Sequence, residues 1–366
     1  MKAECHIEKI KEAIIASERV TGKNLTLPIL SSVLILASNK SLKFRATNLS
    51  LGIDIEVPAK IEKEGVVAVR GDVLLNLFAY IPNNQNVVLE EKDGVLLITT
   101  KNSSASVKIF PYEDFPTIPT VSDGQMIEIP AKKLIEGLKG VYYASAISDI
   151  KPEISSVYLY SDDDMLVFVA TDSFRLSEKK VRIKGLYDFP NLLIPYKNVV
   201  EIIKIFENTS DTIKLFITKN QIAITSGSIY LTSRIIDGVF PDYKQIVAKT
   251  FTTNVTVLKQ DLLHALKITN IFSDKFNQIN FIVEPTKKIF QLESKNTDIG
   301  ETVTHIDASA QGESVAVSIN QKYITDCFQS ITADSLTVGF NGAGKAVVLR
   351  GVGDDTFMYL VMPMNK

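Results

Sequence analysis

The chain has 366 residues, enough for two or three domains, and its 45% hydrophobic and 22% charged content is that of an ordinary globular protein. Forty Lys+Arg against 42 Asp+Glu leave a net charge of -2, which excludes a uniformly basic nucleic-acid coat but not a segregated basic face. Two cysteines, Cys5 and Cys327, cannot build a disulfide framework, and three histidines make the chain poor in transition-metal ligands. The opening MKAECHIEKIKEAI has no apolar signal core, and the greasiest stretch, 25–37, is broken by Pro28, Ser31 and Ser32. A cytoplasmic protein without membrane, metal or cofactor is expected.

In chain order, a short extended segment at Cys5 leads into a helix striped by Ile10, Ile14 and Val20. Val67-Ala68-Val69 then feeds a second helix, followed by strands at 87–89 and 96–98 around the turn Lys92-Asp93-Gly94. Phe110-Pro111 and Phe115-Pro116 close this unit. The pattern restarts at Ile129 with a helix striped by Leu134, Leu138 and Val141, and continues through strands at 157–160 and 166–169. Leu193-Ile194-Pro195 feeds another helix, a strand follows at 213–217, and Phe240-Pro241 closes the second unit. A third opens at Leu258, passes Val317-Ser318-Ile319 before its second helix, and has a strand at 347–349.

The spacing makes this a repeat. Val69, Ile194 and Ile319 stand 125 residues apart, and so do Phe115 and Phe240. Three units of roughly 122 residues are expected, as domains 1–122, 123–248 and 249–366. Pro, Ser, Asp and Thr interrupt the apolar pattern near 116–125 and 247–254. Each unit reads as helix, strands, helix, strands, which is an α+β architecture with antiparallel sheets rather than a βαβ enzyme fold.

Catalytic chemistry is poorly supported. Gly339-Phe-Asn-Gly-Ala-Gly344-Lys345 approaches a phosphate loop, but Ala346 replaces the magnesium-holding Ser or Thr and a strand pattern follows, so a hairpin turn is expected. Asp162-Asp163-Asp164 lacks further oxygen ligands at calcium-loop spacing and reads as a solvated turn. His6, His264 and His305 lie far apart, with no Gly-x-Ser-x-Gly elbow. Charge is more informative. The expected helices (6–23, 70–81, 131–147, 195–207, 259–275 and 320–331) hold 14 Lys+Arg and 10 Asp+Glu, a surplus of +4 that leaves -6 elsewhere. A common helical surface facing a polyanion would show that partition.

Particular residues resemble one family. Thr26-Leu27-Pro28-Ile29-Leu30, Ala46-Thr47-Asn48-Leu49 and Asp114-Phe115-Pro116 are followed, in order, by Ala170-Thr171-Asp172-Ser173-Phe174-Arg175-Leu176. Asp237-Gly238-Val239-Phe240-Pro241-Asp242-Tyr243 and Val361-Met362-Pro363-Met364 complete the series. On these, over its whole length, the chain resembles the bacterial sliding clamps, the beta subunits of DNA polymerase III. The resemblance implies three DNA-clamp domains per chain, each with two helices packed on antiparallel sheets. Two chains, head to tail, would close a six-domain ring around double-stranded DNA. The ring would be a processivity factor without a catalytic site, tethering the replicative polymerase, the clamp loader, other polymerases and repair proteins.

Carried over residue by residue, the resemblance implies DNA contacts at Lys23, Asn24 (where the family's Arg falls), Lys151, Lys197, Phe276 and Asn320. Lys132, Lys133, Lys139 and Lys267 would add field, whereas Asp72 stands at a commonly basic position. A partner-peptide pocket is implied at Ile154, Thr171, Phe174, Arg175, Leu176, Pro241, Ile246, Val361, Met362, Pro363 and Met364, with Ser173 and Phe174 replacing the more usual Gly and His. The dimer contact falls on Ala105 and Val107 of an edge strand and on Ile271 and Phe272 at a helix end. Two alternatives stay open: a clamp-fold paralogue serving repair or drug tolerance, and a repeat-built enzyme with a domain-junction site.

Overall fold

The computed structural model describes residues 1–22, 26–121, 124–148, 150–186 and 188–364; Lys23 and Asn24 lie outside the described residues. Among the described residues there are six α-helices: α1 (Ile7–Val20), α2 (Gly71–Ala79), α3 (Ala131–Val141), α4 (Tyr196–Phe206), α5 (Lys259–Ile271) and α6 (Gln321–Cys327). Each starts on the residue after a strand: Lys2–His6, Gly65–Arg70, Gln125–Pro130, Leu192–Pro195, Thr253–Leu258 and Val315–Asn320. Two strand-to-helix junctions per repeat are the structural form of the 125-residue spacing.

Helices α1 and α3 end before the expected bounds of 23 and 147. Thr21 leaves α1 in an extended conformation (φ -65°, ψ 151°), and its N–H and hydroxyl both donate to the Glu18 carbonyl. At Val141 (φ -132°) α3 gives way to a 3-10 turn, Tyr142–Ala144, that continues the stripe without continuing the helix. Within the observed bounds the helices hold 11 Lys+Arg and 8 Asp+Glu, so the surplus falls from +4 to +3. It is concentrated in α3 and α4, with five basic and two acidic residues, whereas α1 and α2 together hold three and four.

Among the described residues three antiparallel sheets carry the strands, thirteen-, nine- and four-stranded. The chain divides into two compact units, Met1–Lys132 with Val200–Ile235, and Lys133–Val199 with Ile236–Lys366. The thirteen-stranded sheet belongs to the first unit. It is continuous across repeats because strand Ile229–Arg234 pairs with Leu51–Pro58, Leu231 opposite Ile53 and Ser233 opposite Leu51. The second unit uses the same device: Phe357–Val361 pairs with Arg175–Arg182, Leu360 opposite Leu176. Period-two burial selects these registers, as in Leu51–Pro58, where Ile53, Ile55 and Val57 are buried and Glu56 is exposed.

The candidate chemistry of the sequence resolves into turns. Asp93 and Gly94 both have positive φ (51° and 77°), the backbone that a two-residue hairpin between Asn86–Lys92 and Val95–Thr99 requires. Asp163 (φ 54°) turns the chain between Ser156–Asp162 and Met165–Thr171. The Gly339–Lys345 region links the paired strands Ser335–Phe340 and Val347–Gly351, with no helix after it. Among the described residues no group of three or more His, Cys, Asp or Glu could hold a metal ion, and no helix is long and apolar enough to cross a membrane.

Two tests follow from the packing. A Cβ on Gly137, inside α3, would lie 2.1 Å from the Phe168 ring, so this helix lies against its sheet only because position 137 has no side chain. Gly137→Ala gains about 1 kcal/mol of helix propensity but overpacks the contact, and a net loss of about 1–2 kcal/mol is expected in chemical denaturation. The buried Cys5 thiol is pushed up to about 12 by burial and then by Glu4, and the fully buried Cys327 thiol is raised further by burial and by Asp326. At pH 8 neither thiol should react with a water-soluble disulfide reagent until the chain is unfolded.

Candidate functional site

One turn is built twice. In the second repeat the Thr171 hydroxyl donates to the Arg175 carbonyl (2.7 Å) and accepts from the Ser173 N–H (3.1 Å). The Asp172 carboxylate accepts from the N–H groups of Phe174 and Arg175, each at 2.9 Å. Ser173 is thereby held at φ 78°. In the first repeat Thr47, Asn48, Leu49 and Leu51 repeat every element: Thr47 donates to the Leu51 carbonyl, Asn48 Oδ1 accepts from Ser50 and Leu51, and Leu49 has φ 74°. Thr-Asn and Thr-Asp supply the same local acceptors, which is why the turn survives the change of sequence around it.

The next strand pairs identically in both copies. The Arg234 N–H donates to the Ser50 carbonyl (2.8 Å), as the Met362 N–H donates to the Phe174 carbonyl (2.7 Å). What the two turns present differs. In the first, a Cβ on Gly52 would lie 3.1 Å from Ile118 of the chain's own following segment, a polar residue, Ser50, stands where the second has Phe174, and Leu49 is 42% exposed. In the second, Phe174 stands 61% exposed beside Met362 at 36%.

The implied pocket residues thus separate into two kinds. Phe174, Met362 and Ile246 are surface apolar groups, and the Met364 N–H is fixed on the Ser318 carbonyl (2.8 Å) with Pro363 between. Leu176 and Val361 are core residues, and Thr171 is buried in the turn it braces. Leu176 packs in one cluster with Phe240 and Tyr243, which sets Pro241 and Ile246 on the same crossing segment. Ile154 sits on a loop whose carbonyl accepts from the Ala146 N–H.

Arg175 is committed within the protein. Its side chain is about one-tenth exposed, donates to Asp172 (2.9 Å) and Asp326 (2.6 Å), and lies 4.5 Å above the Tyr323 ring. Burial opposes the guanidinium's charge, but Tyr359, Asp326 and Asp172 outweigh it, and its affinity for the proton is raised. Arg175 therefore ties the turn to α6 instead of offering a free cation. Asp172, Asp326, Tyr323 and Tyr359 were not legible as site residues. Only Asp172 left a signal, by standing at the position of Asn48 in the repeated turn.

The implied DNA-facing residues fall in two groups. Asn320 caps α6, accepting from the Lys322 N–H (3.0 Å), and its amide donates to the Phe276 carbonyl (3.2 Å). Phe276 is 57% exposed and carries Lys275 over its ring at 5.1 Å. Lys151 and Lys197 are exposed on neighbouring elements, since the Tyr196 N–H at the start of α4 donates to the Ser155 carbonyl (2.9 Å) and the Ser155 N–H to that of Lys151 (3.1 Å). A 220 Å³ cavity lined by Ile147, Pro152, Tyr196 and Lys197 lies at this junction.

The implied dimer residues also sit on open edges. Strand Ser104–Phe110 pairs along one side with Val95–Thr99, but on the other, among the described residues, only Ile109 and Phe110 are paired, which leaves one backbone edge of Ala105 and Val107 open there. Strand Gly300–His305 is the last in the four-stranded sheet. The Phe272 ring lies against Gly300 at this edge, and Ile271, Ile299 and Val303 are each more than half exposed around it.

Three family descriptions tile the chain: the N-terminal domain of the DNA polymerase III beta subunit matches residues 1–119, the central domain 128–242 and the C-terminal domain 244–365. The chain belongs to the DNA polymerase III beta subunit family. It is 26% identical to the beta sliding clamp of Synechococcus elongatus, across 100% of this chain and 99% of the relative. The beta subunit of Thermotoga maritima superposes with a TM-score of 0.94 at 24% identity, covering 100% of this chain and 99% of that one. The sliding clamp of Pseudomonas aeruginosa bound to griselimycin superposes with a TM-score of 0.92 at 21% identity, covering both chains fully. The family is one of accessory polymerase subunits with no catalytic site of their own.

Replacing Arg175 by Met should leave Asp172 and Asp326 without their shared counter-ion. A loss of about 3 kcal/mol in denaturant unfolding is expected, and Arg175→Lys should recover only part of it because one ammonium nitrogen cannot reproduce bonds that leave from two different guanidinium nitrogens.

Proposed function

We propose that this chain is the processivity clamp of a replicative DNA polymerase: a head-to-tail dimer that encircles duplex DNA and slides along it. The observation that carries this reading is the tiling of the whole chain by three clamp domains. Two features of the molecule support it. Free strand edges at Ser104–Phe110 and Gly300–His305, with exposed Ile271, Ile299 and Val303, suit an interface between two copies. A helix surplus of only three charges suits a bearing, because each phosphate neutralised adds counterion-release affinity that would slow sliding.

DNA contact is assigned to Lys151, Lys197, Phe276 and Asn320, with α3 and α4 as the more basic wall. Phosphates are the natural target, since they carry no sequence information. The exposed apolar groups Phe174, Ile246 and Met362 form the face that takes short peptide segments of the polymerase, the clamp loader and other replication and repair proteins in the cytoplasm. Methionine lets one face fit several partners.

Three measurements test the assignment. Ile271→Asp should convert a dimer into folded monomers in sedimentation, and an unmodified chain that is monomeric at micromolar concentration would remove the ring. Met362→Asp should weaken binding of griselimycin roughly thirtyfold or more while leaving the dimer intact, as loss of a central apolar anchor does. Once loaded, the protein should survive on closed circular DNA through salt that strips it from linear DNA. Changing Lys151 and Lys197 to Glu should lower the log–log salt slope on linear DNA by roughly two. Equal lifetimes on circular and linearised plasmid would rule out enclosure.

A further inference from the structure

Three neighbouring strands of the nine-stranded sheet share one face. Tyr158, Val169 and Glu178 lie in one row across it, and Tyr160, Val167 and Lys180 in the next. Leu176, Val348, Met358 and Leu360 continue this face, with Asp162, Arg182 and Arg350 as further charged residues toward its margins. The segment around Phe240–Ile246 crosses it. Phe240 stacks on Tyr158 (5.0 Å), Tyr158 stacks on Tyr160 (5.1 Å), and Tyr243 meets Phe240 edge-on.

Rings alone would let this segment slide, because apolar contact has no direction. The hydroxyls provide the direction. The Tyr243 hydroxyl donates to Glu178 Oε2 and lies 2.8 Å from the Tyr160 hydroxyl, while Lys244, the next residue, lies 5.1 Å over the Tyr160 ring. Lys180 stands 3.9 Å from both Glu178 and Asp162. Burial, and then the neighbouring Glu178 carboxylate, raise the Tyr243 hydroxyl well above the usual phenol range, so it keeps its proton and remains the donor at any working pH. Glu178 holds the Tyr243 hydroxyl at one place on this face.

We infer that Glu178, Tyr243 and Tyr160 form a positioning relay that fixes the crossing segment, and with it Pro241 and Ile246, as one wall of the partner-peptide pocket. None of the three touches the peptide in this scheme; they act through the backbone they hold. The inference rests on the pocket assignment made above. In the first repeat Asp54 takes the place of Glu178 and is occupied by Arg45, and Ile118 replaces the tyrosine, so the relay belongs to the second copy.

The test uses the full-length dimer, griselimycin as the probe, and calorimetric titration. Tyr243→Phe keeps the ring and removes the donor, and should weaken binding about tenfold. Glu178→Leu should do the same, and the double variant should be no weaker than either single one. Glu178→Gln retains an acceptor and should restore binding to within about threefold of the unmodified protein. Hydrogen exchange should quicken at the amides of 242–247 in Tyr243→Phe, with the remaining strands of the sheet unchanged. Unchanged griselimycin affinity in Tyr243→Phe, with binding lost in Met362→Asp, would overturn the relay and keep the pocket. Equal loss in Glu178→Gln and Glu178→Leu would also overturn it, by showing that the hydrogen bond is not what matters. Unchanged binding in Met362→Asp would remove the pocket, and the relay with it.

Discussion

Hydrogen bonding between a strand of one repeat and a strand of the next is the constraint on which the rest of this molecule depends. Ile229–Arg234 completes a sheet begun by Leu51–Pro58, and Phe357–Val361 completes one begun by Arg175–Arg182. A row of unpaired backbone groups on a long strand is costly to bury and prone to mispair in solution. The first and second repeats each leave such a row and the following repeat covers it, so the repeats cannot behave as beads on a string. The central repeat accordingly divides, its strands 125–130 and 212–234 joining the first compact unit and its strands 156–195 the second.

The turns at Thr47 and Thr171 gain their importance from this pairing. Each sits at the start of a strand that must enter the sheet in one register, and a slip of one residue would turn Ile53 or Leu176 to the opposite face. A positive-φ residue braced by a hydroxyl and an Asx side chain sets that register locally. The second turn carries a further load. Arg175 links it to Asp326 on α6, so the exposed Phe174 is mounted on a rigid base rather than on a free loop. Met362 is held from the other side by the Phe174 carbonyl. An apolar face of adaptable side chains on a stiff backbone is what a site for several partner peptides needs.

Electrostatics plays a restrained part. Several lysines on the helices have a carboxylate three residues away, as Lys133 has Glu136 and Lys204 has Glu201, so the field is diluted where it arises. Strong phosphate binding would oppose motion along the duplex, and enclosure makes it unnecessary. The interface assigned to a second copy is different in kind. There the resource is unpaired backbone and exposed aliphatic side chains, which give a directional and salt-insensitive contact suited to keeping a ring shut.

Much of this was readable from the sequence, because it follows from local rules. The threefold spacing, all six strand-to-helix junctions and the antiparallel α+β character depend on periodicities of 2 and 3.6 and on turn residues, which act within a few positions. The hairpin reading of Gly339–Lys345 and the turn at Asp162-Asp163-Asp164 depend on the same short range. Helix ends were less legible: α3 stops at Val141 and α1 at Val20, short of the expected 147 and 23, since an apolar stripe does not mark where a 3-10 turn or an extended segment takes over. The partners of the buried charges could not be read at all. Arg175 meets Asp326 across 151 residues, and Tyr243 meets Glu178 across 65. Nothing in either neighbourhood distinguishes those charges from solvated ones. Only the tertiary structure decides them, because the strand pairing that brings them together is chosen by the burial of whole faces rather than by the charges themselves.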